Sequence, residues 1–294
     1  MFDEICVSIQ GSSHIKNNIV CQDYADTYCK NEDYAIAAIA DGHGSKKHFR
    51  SDKGSQFAVK VSIDTINEYM EDKEKFFESY KRNAKYILDR IKKVIITRWT
   101  MEVENDLNEN PISDEEKIKY LDGVYDDNKK ISIYGTTLLV AFMSEECNFG
   151  LVIGDGCFVV INEEGKSYIP IEDSESGANF TSSISSFNAF DNFKYCLFDE
   201  KPFAILLSTD GLIKTFSSQD DFLDYNQTIV MEICKIKNEN IKGDLENRLR
   251  DIFKKRSENG SEDDISLSVI YCKDKIESMS KTILSIQEAN NLNK

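Results

Sequence analysis

Asp41 ends an apolar run, Ile36–Ala40, and is followed at once by Gly42, His43 and Gly44. A short apolar run closed by a turn signal reads as a buried strand. A carboxylate at the end of such a strand can face a cleft without being buried alone. The glycines let the backbone turn sharply and approach an ion or a phosphate closely. The histidine between them can exchange a proton near neutral pH. Taken alone, the segment reads equally well as an ordinary tight turn. The same format recurs along the chain. Asp23 lies at the start of a strand-like segment, and Asp155 lies in Ile153-Gly154-Asp155-Gly156 between two more. Asp210 follows the apolar run Ala204–Leu207 and precedes Gly211, and Asp263 and Asp264 directly precede the last predicted strand. If these ends meet at one edge of a β sandwich, their like charges need counter-ions. Hard divalent cations with oxygen ligands, Mn²⁺ or Mg²⁺, meet that need. Paired ions can orient and deprotonate a water for attack on phosphorus. Acidic residues also occupy turns for hydrogen-bonding reasons alone; the repetition of the format weighs against that reading here.

The elements that must hold these residues follow from periodicity. Phe2–Gln10, Ala25–Cys29 and Tyr34–Ala40 read as strands, with Gly11–Cys21 a polar, turn-rich link. Val59, Ile63, Ile66 and Met70 share one helical face; Phe77, Tyr80, Ala84, Ile87, Ile91 and Val94 make a second stripe. Asn105–Lys130 reads as a loop with one helical piece, marked by the capping-box pattern Ser113-x-x-Glu116. Tyr134–Met143, Cys147–Ile153, Cys157–Asn162 and Lys166–Pro170 are short strands at a spacing that suits an antiparallel meander. Glu172–Asn192 is a polar surface segment. Tyr195–Phe198, Phe203–Ser208 and Ile265–Cys272 are further strands, with helices over Phe222–Lys235 and around Ile241–Phe253. The pattern predicts one catalytic unit over residues 1–273. A C-terminal amphipathic helix over 274–294 carries Ile276, Met279, Ile283 and Ile286 at helical spacing and packs on the body.

Totals narrow the function classes. The chain has 294 residues, 40% of them hydrophobic, and a formal charge of -16, which repels nucleic acid and anionic membranes. Its 8 cysteines form no CxxC pair and sit mostly in apolar strands, and there is no signal peptide or membrane-length apolar run. Reduced, buried thiols in a cytoplasmic protein fit best. With 3 histidines and no suitably spaced cysteine, a zinc site does not fit.

The motifs Gln22-Asp23, Asp41-Gly42-His43-Gly44, Gly135-Thr136-Thr137, Gly154-Asp155-Gly156, Ser208-Thr209-Asp210-Gly211 and Asp263-Asp264-Ile265-Ser266, in this order, resemble the metal-dependent protein phosphatase family, protein phosphatase 2C. The segment Ser13–Asp23 together with DGHGS is similar to its mainly bacterial branch. The resemblance implies an α+β, four-layer αββα sandwich of two antiparallel sheets flanked by helices. It implies hydrolysis of phosphoserine and phosphothreonine by a water bridging two Mn²⁺ or Mg²⁺ ions. By the same resemblance Asp41 bridges the metals, the Gly42 carbonyl binds one, and Asp210 and Asp263 complete the other site. Asp155 touches a weak third ion, Asp23 holds a metal-bound water, and His43 protonates the leaving oxygen. A phosphorylated protein is the implied substrate, with a serine/threonine kinase or its targets as partners. Three positions depart from the family pattern. Asn18 stands where many members carry a phosphate-gripping arginine, leaving Lys16 or His14 as substitutes. Gln22 replaces an acid, and Lys214 stands where members with a third metal carry an aspartate. His48, just beyond DGHG, reads as a surface or helix-start residue. These departures keep a second reading open, a pseudophosphatase of the same fold that binds a phosphoprotein or acts as a scaffold.

Overall fold

The computed structural model describes residues 1–30, 32–123, 125–171, 181–198 and 201–292, with side chains up to residue 285 in the last helix. Ten strands lie among the described residues: β1 (Phe2–Ile9), β2 (Asp23–Cys29), β3 (Tyr34–Asp41), β4 (Leu138–Ser144), β5 (Asn148–Ile153), β6 (Cys157–Asn162), β7 (Ser167–Tyr168), β8 (Lys194–Leu197), β9 (Pro202–Ser208) and β10 (Ile265–Cys272). The α-helices are α1 (Ser12–Asn17), α2 (Ser51–Tyr69), α3 (Lys73–Arg82), α4 (Ala84–Glu109), α5 (Asp114–Leu121), α6 (Ala189–Asn192), α7 (Asp210–Ile213), α8 (Gln219–Ile233), α9 (Glu239–Arg256) and α10 (Ile276–Leu292).

The strands form two five-stranded sheets, ordered β1-β10-β9-β6-β7 and β2-β3-β4-β5-β8, with antiparallel pairing throughout. β3 shows why the sheets are covered on both faces. Successive side chains of a strand point to opposite sides. Ala35, Ala37 and Ile39 pack between the sheets against Phe158, Ile205 and Leu207. Tyr34, Ile36 and Ala38 face outward into a cluster with Ala58 and Ile66 of α2 and Ile91 and Trp99 of α4. Trp99 is fully buried, and its indole N–H donates to the Gly54 carbonyl at 2.9 Å, so the two helices are joined by a satisfied polar contact. On the far side Leu206, Val269 and Tyr271 pack under Phe222 of α8 and Leu249 and Phe253 of α9, with Met279 and Ile283 of α10 in the same cluster. The four-layer αββα architecture is therefore the fold.

Three local expectations change. The meander ends at β5, because the Gly154–Gly156 turn carries the chain into the other sheet, where β6 pairs with β9. Switching sheets lets two short apolar strands be covered on both sides, one face against the opposite sheet and the other against helices. Gly11–Cys21 is not all turn but contains α1, closed by Asn18 in the left-handed conformation. α4 runs through to Glu109, so the polar stretch from Asn105 begins as helix. It is tied there by Asp106, which accepts from Lys53 at 2.7 Å. The expected capping box is formed: Ser113 accepts from Glu116 N–H, and Glu116 accepts from Ser113 N–H. Part of the expected surface segment, residues 172–180, lies outside the described residues.

Candidate metal and phosphate site

The site is assembled at one end of the sandwich by turns from both sheets. Asp41 ends β3, directly opposite Asp23 at the start of β2. Asp155 lies in the β5–β6 turn, Asp210 opens α7 after β9, and Asp263 precedes β10. Because β10 pairs with β9 at Leu267–Ser208, the ends bearing Asp210 and Asp263 lie side by side. Asp41, Gly42, His43, Asp155, Asp210 and Asp263 line one cleft of about 180 Å³, joined by His14, Gln22, Thr137, Thr181 and Lys214.

Hydroxyls hold the Asp41 backbone and the Asp155 carboxylate. Asp41 N–H donates to Thr137 Oγ1 at 2.9 Å, and Thr136 Oγ1 donates to the Asp41 carbonyl at 2.8 Å. These bonds explain why the predicted strand from Tyr134 begins only at Leu138: Thr136 and Thr137 serve the Asp41 turn instead. Gly42 is fixed by its surroundings, since a Cβ there would lie 2.7 Å from the Ser51 carbonyl oxygen and 2.8 Å from that of Gln22. Gly211 is tighter still, with a Cβ falling 2.0 Å from the Asp264 carbonyl oxygen. Thr181 Oγ1 donates to Asp155 Oδ2 at 2.8 Å.

Electrostatic stress concentrates on the acids. Burial, then the charges of Asp23, Asp210, Asp263 and Asp155, push the Asp41 carboxyl well above the ordinary carboxylate range. Burial also raises Asp210, against the neighbouring Lys214 ammonium. Asp210 Oδ1 is buried without a hydrogen-bond partner among the described residues. Lys214 Nζ lies 2.7 Å from Asp210 Oδ2 and 3.4 Å from Asp263 Oδ2. Among the described residues, no three His, Cys, Asp or Glu side chains are drawn together tightly enough to form a ready ion cage. The donor set is all oxygen and strongly anionic, and it presents a buried carboxylate oxygen with nothing to bind. That is the chemistry a hard divalent cation requires.

The remaining sequence candidates separate. Asp23 is buried behind Asp41 and does not line the cleft. Thr209 Oγ1 donates to it at 2.7 Å, and burial and the Asp264 charge raise its pKa. Gln22 occupies the lining position instead, its amide nitrogen donating to Ser51 Oγ at 2.7 Å. Asn18 caps α1 at the surface, and Lys16 is exposed and pairs with Glu262 at 3.3 Å; neither lines the cleft. His14 does. Its Nδ1 lies 2.9 Å from Asp264 Oδ1, and that carboxylate also accepts from Gly11 N–H and Gln22 N–H. The hydrogen bond to Asp264 raises the His14 pKa despite burial. Asp264 has no role of its own in the sequence reading, although its place in a D-D pair before a strand is visible there.

His43 sits at the cleft wall, its backbone N–H donating to the Gly135 carbonyl at 3.0 Å. His48 is half-buried rather than a surface residue. Its ring centroid lies 5.1 Å from that of His43, and its Nδ1 bonds the Ser132 carbonyl oxygen, a contact that places the proton on Nδ1. Burial and His48 push the His43 imidazole down to about 4, against the Asp155 charge, so it is neutral at neutral pH.

No curated protein sequence matches this chain. Solved structures share its fold at low identity. The serine/threonine phosphatase Stp1 from Staphylococcus aureus matches with a TM-score of 0.53 at 14% identity, covering 93% of this chain and 96% of that one. A C. elegans sex determining protein matches with a TM-score of 0.58 at 13% identity, covering 96% and 67%. The catalytic domain of the serine/threonine phosphatase PstP, in complex with two manganese ions, matches with a TM-score of 0.52 at 14% identity, covering 92% and 97%. A family model described as protein phosphatase 2C matches residues 10–253, well over half of the chain, and the chain belongs to the protein phosphatase 2C family.

Proposed function

We propose that the chain is a divalent-metal-dependent phosphatase of phosphoserine and phosphothreonine in proteins. The observation that carries this reading is the convergence of Asp41, Asp155, Asp210 and Asp263 on one cleft beside His43 and His14. Asp41, Asp210 and Asp263, with the Gly42 carbonyl, are the residues that would hold two Mn²⁺ or Mg²⁺ ions, and Asp155 a weaker third. Such ions supply an activated water and neutralise phosphoryl charge when bound. The protein's own groups do the rest. Thr136 and Thr137 fix the backbone of the Asp41 turn from which its carboxylate projects. Asp23, bonded by Thr209, is buried next to Asp41 and does not line the cleft. His14, held by Asp264, replaces the missing arginine as the cation facing the phosphate, with one contact in place of a bidentate fork. His43 gives a proton to the leaving serine or threonine oxygen, and a bound phosphate dianion beside it favours its charged form.

The pseudophosphatase reading is supported by one observation, the Lys214 ammonium between Asp210 and Asp263. The two readings part in one assay, Mn²⁺-dependent phosphate release from a phosphothreonine peptide and from small phosphate esters. We expect release from the peptide that Asp210→Asn abolishes. No release from either substrate, with Asp210→Asn indistinguishable from the parent, would sink the enzyme reading.

A further inference from the structure

Lys214 closes the single turn of α7 that Asp210 opens. Residues four apart on a helical turn face the same side, so their pairing alone would be an ordinary surface contact. Asp263 makes it different. It comes from another element, the approach to β10, and the ammonium reaches both carboxylates at 2.7 and 3.4 Å. Both acids line the cleft, and the second oxygen of Asp210 is buried and unpartnered. The Lys214 side chain is 50% exposed, so its head can leave toward solvent without disturbing the core. A divalent ion sits about 2.0–2.2 Å from its carboxylate oxygens. An ammonium at hydrogen-bond distance from the same two carboxylates fills that space, so the two cations exclude each other.

We propose that Lys214 is a tethered counter-ion that competes with the divalent cation for Asp210 and Asp263. It steadies the anionic cleft when metal is scarce and must swing out for that position to load. This rests on the metal-dependent reading above and adds to it a built-in threshold for metal occupancy.

The test is Mn²⁺ titration by calorimetry on the full chain, comparing the parent with Lys214→Gln and Lys214→Arg, alongside metal-free thermal melts. Losing a charge-assisted competitor should tighten the weakest Mn²⁺ step about tenfold in Lys214→Gln. The same variant should melt lower than the parent without metal, while Lys214→Arg keeps the parent's affinity. A second readout needs no mutation: the Lys214 ammonium signal in nitrogen-detected NMR should disappear on adding Mg²⁺. Equal or weaker Mn²⁺ binding by Lys214→Gln, or an ammonium signal that persists with metal bound, overturns the competition while leaving the metal site standing. Absence of Mn²⁺ binding to parent and variants alike overturns both readings.

Discussion

At the scale of single residues, the proposed function would have two histidines, His14 and His43, divide the work of an arginine and one imidazole. In the proposed role, His43 would matter only when the leaving group needs a proton. A serine or threonine alkoxide is a poor leaving group, and p-nitrophenolate is a good one. General acid catalysis is worth on the order of 10²–10⁴-fold. We therefore expect His43→Gln to slow phosphothreonine-peptide hydrolysis by roughly 10²-fold or more, and p-nitrophenyl phosphate by less than tenfold. Equal losses on both substrates would remove His43 from proton transfer. His14 should act in binding. Its hydrogen bond with Asp264 raises its pKa, so its positive charge is fully present below the ordinary value of 6.5 and is lost as pH climbs through the raised one. His14→Gln should weaken inhibition by inorganic phosphate about fivefold at about pH 6, the worth of ~1 kcal/mol of charge-assisted bonding. The gap should close as pH rises further; a gap that widens with pH would contradict the role. In sequence, Lys16 is as good a substitute as His14, and Asn18 stands at the arginine's own position. Only the fold distinguishes them, because α1 turns His14 inward and spends Asn18 on its own cap.

At the scale of elements, the strands were legible where apolar runs met turn residues, and the helices where stripes repeated. What the pattern could not carry was which sheet a strand joins. The β5–β6 link looks like any tight hairpin in sequence, yet it crosses between sheets, and that crossing is what puts Asp155 at the mouth. Sheet assignment depends on pairings between residues far apart in the chain, such as Ser8 with Ser266, and local periodicity does not encode them. The capping box of α5 was legible, but its second duty was not. Glu116 also accepts two bonds from Arg50, at 3.1 and 3.2 Å, and Arg50 is buried beside Tyr134, one residue before the Gly135-Thr136-Thr137 turn that holds Asp41. Ser113→Ala should cost about 1 kcal/mol, the usual worth of a cap. Glu116→Ala should cost more, about 2 kcal/mol, because it also removes both Glu116 bonds to the buried Arg50, which keeps Asp106, the Asn110 carbonyl and the Tyr134 hydroxyl; partial exposure of Glu116 and these remaining partners keep the figure below that of a fully buried pair. Hydrogen exchange between residues 113 and 135 should quicken in Glu116→Ala and change far less in Ser113→Ala. Matching exchange profiles would mean that Arg50 does not couple the two segments.

At the scale of the whole molecule, a net charge of -16 and a cleft edged by carboxylates set stability against function. The sandwich holds these acids at fixed positions because each is anchored to a strand end, and the strands are pinned by cores on both faces of each sheet. The fold cannot relax by letting one acid drift away, so repulsion among Asp41, Asp210 and Asp263 is carried as lost stability. The acid-rich strand ends were plain in the sequence; the cost of gathering them was not, because it appears only when the two sheets close over each other. Removing one charge should therefore stabilise the metal-free protein, the opposite of the usual effect of changing a buried residue. We expect Asp41→Asn to melt higher than the parent in chelator. The parent should gain several degrees with Mn²⁺, since a ligand at a hundredfold excess over its Kd adds about 2.7 kcal/mol. Asp41→Asn should lose most of that gain, so the two melting curves exchange order as metal is added. Curves that keep the same order with and without Mn²⁺ would mean that Asp41 neither carries the repulsion nor holds the ion.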